Sequence, residues 1–120
     1  MTLALPDLVS RLYRAADAAD AARDALTDQV RALVAPQGRL DRDRLDAEQQ
    51  AAHGLAWVAA YAETLRQTAD WARDLEGAGR LSEAEALAAQ LLAYEYLAQI
   101  VGGLPMNQGE MFRAVEYGVD

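Results

Sequence analysis

Apolar residues recur at steps of three and four along most of this chain, and three short breaks interrupt the pattern. A helix completes a turn in 3.6 residues, so this spacing lays one apolar stripe along each helix. Composition points the same way. Of 120 residues, 27 are Ala and 17 are Leu, against seven Val, one Ile and one Phe. Ala and Leu lose little freedom on entering a helix, whereas the β-branched and aromatic residues that suit a pleated sheet are scarce. The length allows one domain, and an all-α fold is expected.

The breaks are Pro36-Gln37-Gly38, Gly77-Ala78-Gly79 and Gly102-Gly103-Leu104-Pro105. They predict helices over about 6–34, 43–76 and 82–101. In the first, Pro6 suits the opening turn, and the seam is Leu8, Leu12, Ala15, Ala19, Ala22, Leu26, Val30 and Leu33. In the second it is Leu45, Ala52, Leu55, Ala59, Ala62, Leu65, Ala69, Ala72 and Leu75. Gly54 lies inside this helix at a cost of about 1 kcal/mol relative to Ala, which suggests close approach of a neighbouring backbone. The third opens on Ser82-Glu83-Ala84-Glu85, a capping box, and carries Leu87, Leu91, Tyr94, Leu97, Ala98 and Val101 on one face. Residues 104–120 lack a clear period and are expected as a short fourth helix or an extended tail.

Short connections force neighbouring helices to run antiparallel, so residues 1–103 are expected to form an antiparallel three-helix bundle. The third helix is too short to cover both long ones. Part of the apolar seam is left for dimerisation or docking to fill.

Charge and residue absences narrow the chemistry. Nineteen acidic against eleven basic residues give a net charge of −8. Such a chain repels phosphate backbones and anionic lipid, so neither nucleic acid nor a membrane is expected as a partner. Every basic residue is Arg, which removes Schiff-base and P-loop lysines. Cys is absent, and with it disulfides, thiolate catalysis and Cys-held metals. The N-terminal residues lack the basic and apolar runs of a signal peptide, and no stretch of ~18 apolar residues exists to span a membrane. A cytoplasmic chain is expected.

Candidate sites are few. His53 is the one histidine; Gln50 stands where a Glu-x-x-His metal motif needs Glu, so His53 is expected at a surface or interface. Asp17, Asp20, Asp24 and Asp28 share a helix face interleaved with arginines, which reads as a solvated acidic face. Trp57, Tyr61 and Trp71 are candidate interface anchors. Glu95 is expected to pair with Arg66 or Arg73. Neither a catalytic set nor a metal set emerges.

One stretch says more. Gln99-Ile100-Val101-Gly102-Gly103 reads Q-x-x-G-G at the end of an Ala-rich helix, with Glu110 and Arg113 beyond it. This resembles the helical C-terminal domain of acyl-CoA dehydrogenases, over about Ala51 to Arg113. The chain as a whole, with Gly102 to Glu110 reading Gly-Gly-Leu-Pro-Met-Asn-Gln-Gly-Glu, resembles the N-terminal helical extension of larger, methylsuccinyl-CoA dehydrogenase-like members. The resemblance implies FAD in the family context, with Gln99, Gly102 and Gly103 as cofactor-binding candidates. By spacing alone the two glycines read as a helix stop. The family's catalytic Glu lies in a Tyr-Glu-Gly-Thr-like context that has no counterpart here, since Glu116-Tyr117-Gly118 has another order. The resemblance thus implies a non-catalytic docking or oligomerisation domain of a flavoenzyme, its partner a second copy or the flavoenzyme body. The alternative is a small module holding FAD or acyl-CoA at the Q-x-x-G-G end and the Tyr94/Tyr96 helix.

Overall fold

Two long helices set the dimensions of the protein, 55 × 29 × 20 Å. The structure is a computed structural model and describes residues 2–120, apart from the side chain at position 108. Residue 1, part of the expected bundle, lies outside the described residues. The described residues form four α-helices: α1 (Leu8–Val34), α2 (Arg42–Ala47), α3 (Gln49–Gly77) and α4 (Glu83–Gly102). A two-residue hairpin comes next, β1 (Leu104–Pro105) with β2 (Met111–Phe112), antiparallel with Leu104 opposite Phe112. The fold is all-α, with α1, α3 and α4 as the three rods of the bundle.

Several boundaries differ from the sequence reading for local reasons. α1 starts at Leu8, because Asp7 takes a left-handed backbone, φ 55°, and its carbonyl accepts from the Arg11 N–H. The expected second helix is divided at Glu48. Asp41 caps α2 by accepting from the Arg44 N–H at 3.1 Å, and the bend folds Leu45 over Val30 and Val34 at the end of α1. The capping box does not close. The Ser82 N–H donates to the Arg80 carbonyl instead, so Glu85 has no donor to return to. Glu83 turns outward and accepts from the Leu3 N–H at 2.8 Å and from the Thr2 hydroxyl. Together with the Leu5 N–H donating to Gln90 Oε1 at 2.8 Å, this straps residues 2–5 onto α4.

Those hydrogen bonds, Thr2 first and then Leu3, hold the Glu83 carboxyl below its ordinary value. A lowered carboxylate value means a stabilisation present above about pH 4.5 and lost as the pH falls below it, through the depressed value. Protection of the Leu3 and Leu5 amides, relative to their intrinsic exchange rates at the same pH, should therefore fall on acidification below ~pH 4, and Glu83→Gln should show that lower protection already at pH 7. Equal protection at both pH values would refute the strap.

Burial follows the seams with phase errors that matter. On α1 the buried positions are Leu8, Leu12, Ala16, Ala19, Leu26, Val30 and Val34. On α3 they are Ala51, Gly54, Val58, Ala62, Leu65, Ala69 and Ala72, so the first half of the expected seam is shifted by one residue. The cause is Phe112, whose ring lies against Gly54. A Cβ at position 54 would overlap Phe112 Cδ2 and its neighbours in the ring. Among the described residues the tail makes no further α-helix. Its hairpin and two 3₁₀ turns fold back into a second core of Leu26, Val58, Leu104, Met106, Phe112, Ala114 and Val119. Gly103 permits the reversal: its φ of 140° suits glycine, and a Cβ there would meet Met111 Sδ at 2.9 Å.

Candidate functional site

α4 departs furthest from the expected orientation. The sequence reading turned Leu91, Tyr94 and Val101 toward the core. In the structure Ala86, Ala89, Ala93 and Ile100 face in, and Leu91, Tyr94 and Val101 are 65%, 72% and 78% exposed. Both stripes have helical spacing. The alanine stripe wins because small side chains let α4 lie close against α1 and α3, which gathers more close-packed surface per turn.

This choice leaves an apolar groove between α1 and α4. One lobe of about 500 Å³ is lined by Leu5, Leu8, Leu12, Leu91, Tyr94 and Leu97, with Arg11 and Gln90 among its polar residues. A second lobe of about 410 Å³ continues past Leu97 to Ala18, Ala22, Val101, Val115 and Val119. Sequence reading missed the groove, although one signal was present. α4 carries Glu83, Glu85 and Glu95 as its charges and no basic residue, so it is apolar on nearly every side.

The expected interface aromatics do not form one surface. Trp57 and Tyr61 belong to a half-buried ladder that runs from α3 to α4. The Trp57 indole N–H donates to His53 Nε2 at 2.9 Å, Trp57 meets Tyr61 edge-on at 6.0 Å, and Tyr61 stacks on Tyr96 of α4 at 4.2 Å. Burial, with Tyr96 and Glu95 nearby, raises the Tyr61 hydroxyl above its ordinary value. Trp71 sits apart toward the other end of α3, half exposed beside Thr64 and Thr68.

Gln99 lies where the ladder meets α4. Its Oε1 accepts from the Tyr61 hydroxyl at 2.6 Å, and its Nε2 donates to Glu95 Oε1 at 3.0 Å. The expected pairing of Glu95 with Arg66 or Arg73 does not form. Arg66 spans from α3 to Asp20 at 2.6 Å and Asp17 at 2.7 Å on α1. Those two bonds, Asp20 first, raise the guanidinium further above its ordinary value. Two of the four aspartates expected as a solvated face are therefore helix-to-helix ties. Arg73 pairs with Asp70 and Asp74 instead. Of the two glycines, Gly102 is open and Gly103 backs onto Met111. Among the described residues no group of three or more His, Asp or Glu side chains could hold a metal. No described helix is long and apolar enough to cross a membrane.

An all-α chain with this groove and this glycine-ended helix is homologous to part of an acyl-CoA dehydrogenase. Over 101 residues, 84% of its length, it is 45% identical to the (2S)-methylsuccinyl-CoA dehydrogenase of Cereibacter sphaeroides. The match spans 18% of that enzyme, so the chain corresponds to under a fifth of its relative. No protein-family model matches the chain.

Proposed function

We propose that this chain is a non-catalytic helical docking domain, serving an acyl-CoA dehydrogenase-like flavoenzyme as an extension of it or as a separate subunit. The observation that carries this reading is the outer face of α4. An apolar stripe of Leu91, Tyr94 and Val101 beside a groove of two lobes is surface that a finished assembly covers. Homology to the Cereibacter enzyme supplies the flavoenzyme context, and with it FAD.

The residues named for FAD do not by themselves fit its pyrophosphate within this chain. They stand at the C-terminal end of α4, where free carbonyls carry partial negative charge. Gln99 has both amide ends occupied, and the nearby Arg113 is drawn to Glu116 at 3.7 Å. Calorimetric titration of the chain with FAD and with an acyl-CoA should therefore give no saturable heat. The chain alone should also not reduce a dye in the presence of an acyl-CoA. Saturable binding of either ligand would replace this reading with that of a ligand-binding module at the Q-x-x-G-G end.

A further inference from the structure

His53, the one histidine of the chain, stands at the head of the aromatic ladder. An indole N–H can only donate, so His53 Nε2, 2.9 Å from that of Trp57, accepts through its lone pair. The proton of the neutral ring is then on Nδ1. A second proton makes donors of both ring nitrogens, and the bond to Trp57 is lost. The indole offers no compensation as a cation–π face. Its N–H lies in the ring plane, so it turns an edge toward the imidazole, with the two planes 61° apart.

A carboxylate stands close by for the charged ring. Gln50, one turn before His53, donates from Nε2 to the Met111 carbonyl at 3.2 Å, which holds the tail hairpin on this face of α3. Glu110, the residue before Met111, shares a cavity of about 350 Å³ with His53. The other residues around that cavity, Leu45 of α2 and Gln49, Gln50 and Ala52 of α3, are uncharged. Glu48, at the junction of α2 and α3, faces Tyr117, where burial first and its charge second raise the hydroxyl. None of the ion pairs among the described residues engages Glu110.

We infer that His53 is a proton-operated switch with two positions. Neutral, it accepts from Trp57 and completes the ladder through Tyr61 to Tyr96 that joins α3 to α4. Charged, it releases the indole and turns to Glu110, tying α3 to the tail hairpin instead. The switch lies away from the outer face of α4 and is independent of what covers that face.

Trp71→Phe, at a half-exposed position, leaves Trp57 as the one indole and makes its N–H resonance a direct reporter. Histidine is the side chain that changes charge between about pH 5 and 8, which is the range to scan. As the pH is lowered, the Trp57 indole resonance should move in a single step. Protection of its N–H, relative to the intrinsic exchange rate at each pH, should fall about fivefold, the loss of one hydrogen bond. His53→Gln presents an amide oxygen to the same N–H and cannot titrate, so the step should vanish and the protection persist. Glu110→Gln removes the partner of the charged form, so the step should remain with its midpoint lower by roughly half a pH unit. Positions 53 and 110 are half-buried and exposed, so both variants should keep the helical circular dichroism of the parent. If His53→Gln does not fold, the midpoint in Glu110→Gln decides alone. An indole resonance that ignores pH overturns the inference, as does a step that survives His53→Gln or a midpoint that Glu110→Gln leaves in place.

Discussion

Phe112→Ala should destabilise the protein by about 3–5 kcal/mol, a large part of a typical domain's stability. Phe112 is the largest fully buried side chain among the described residues, and its ring stacks on Tyr117 at 5.2 Å while filling the space above Gly54. The partner substitution makes the prediction specific. Gly54→Ala in the parent drives a methyl into the ring. Overpacking of that kind costs about 1–3 kcal/mol, more than the ~1 kcal/mol that Ala gains over Gly in a helix. Once Phe112 is gone the clash is gone, and Gly54→Ala should then stabilise by about 1 kcal/mol. Urea unfolding of the parent, both single variants and the double variant measures this directly. The same sign for Gly54→Ala in both backgrounds would show that the tail does not dock on α3.

The second large effect concerns the phase of α3. Val58 is fully buried against the tail core, whereas Leu55 one turn earlier is half-buried. Val58→Glu forces a carboxylate in among Leu26, Leu104 and Phe112 without a partner. The penalty of several kcal/mol rivals the whole stability of a small domain, and the variant should lose its cooperative melt at pH 7. Burial raises the value of such a carboxyl, so helicity should partly return as the pH falls toward about 5 and the group is neutralised. Leu55→Glu can extend its head to water and should cost only about 1–2 kcal/mol. If Leu55→Glu proved the more damaging of the two, the seam assignment on α3 would be wrong.

The candidate site was less legible than the fold. The resemblance pointed to Gln99, Gly102 and Gly103, and the structure shows what else those residues do. Gln99 joins α4 to the aromatic ladder of α3, and Gly103 turns the chain back toward the core. The groove could not be read from periodicity, because Leu91-Tyr94-Val101 and Ala86-Ala89-Ala93-Ile100 both have helical spacing. Hydrophobicity favours burying the larger set, and close packing favours the smaller. The hairpin was invisible for a related reason. Two-residue strands have no period, and Phe112 acquires its importance only when Gly54 is brought opposite it.

The sequence by itself determined the rods: Ala and Leu at helical steps, Pro and Gly at the breaks, and an acidic, cysteine-free, lysine-free surface. Those properties are local, fixed by the turn of a helix and the conformations of single residues. The tertiary structure decided which side of each rod faces in, how the tail closes the bundle, and where a groove is left open. These depend on how closely two backbones can approach, which the small side chains of one helix settle only when another helix lies against them.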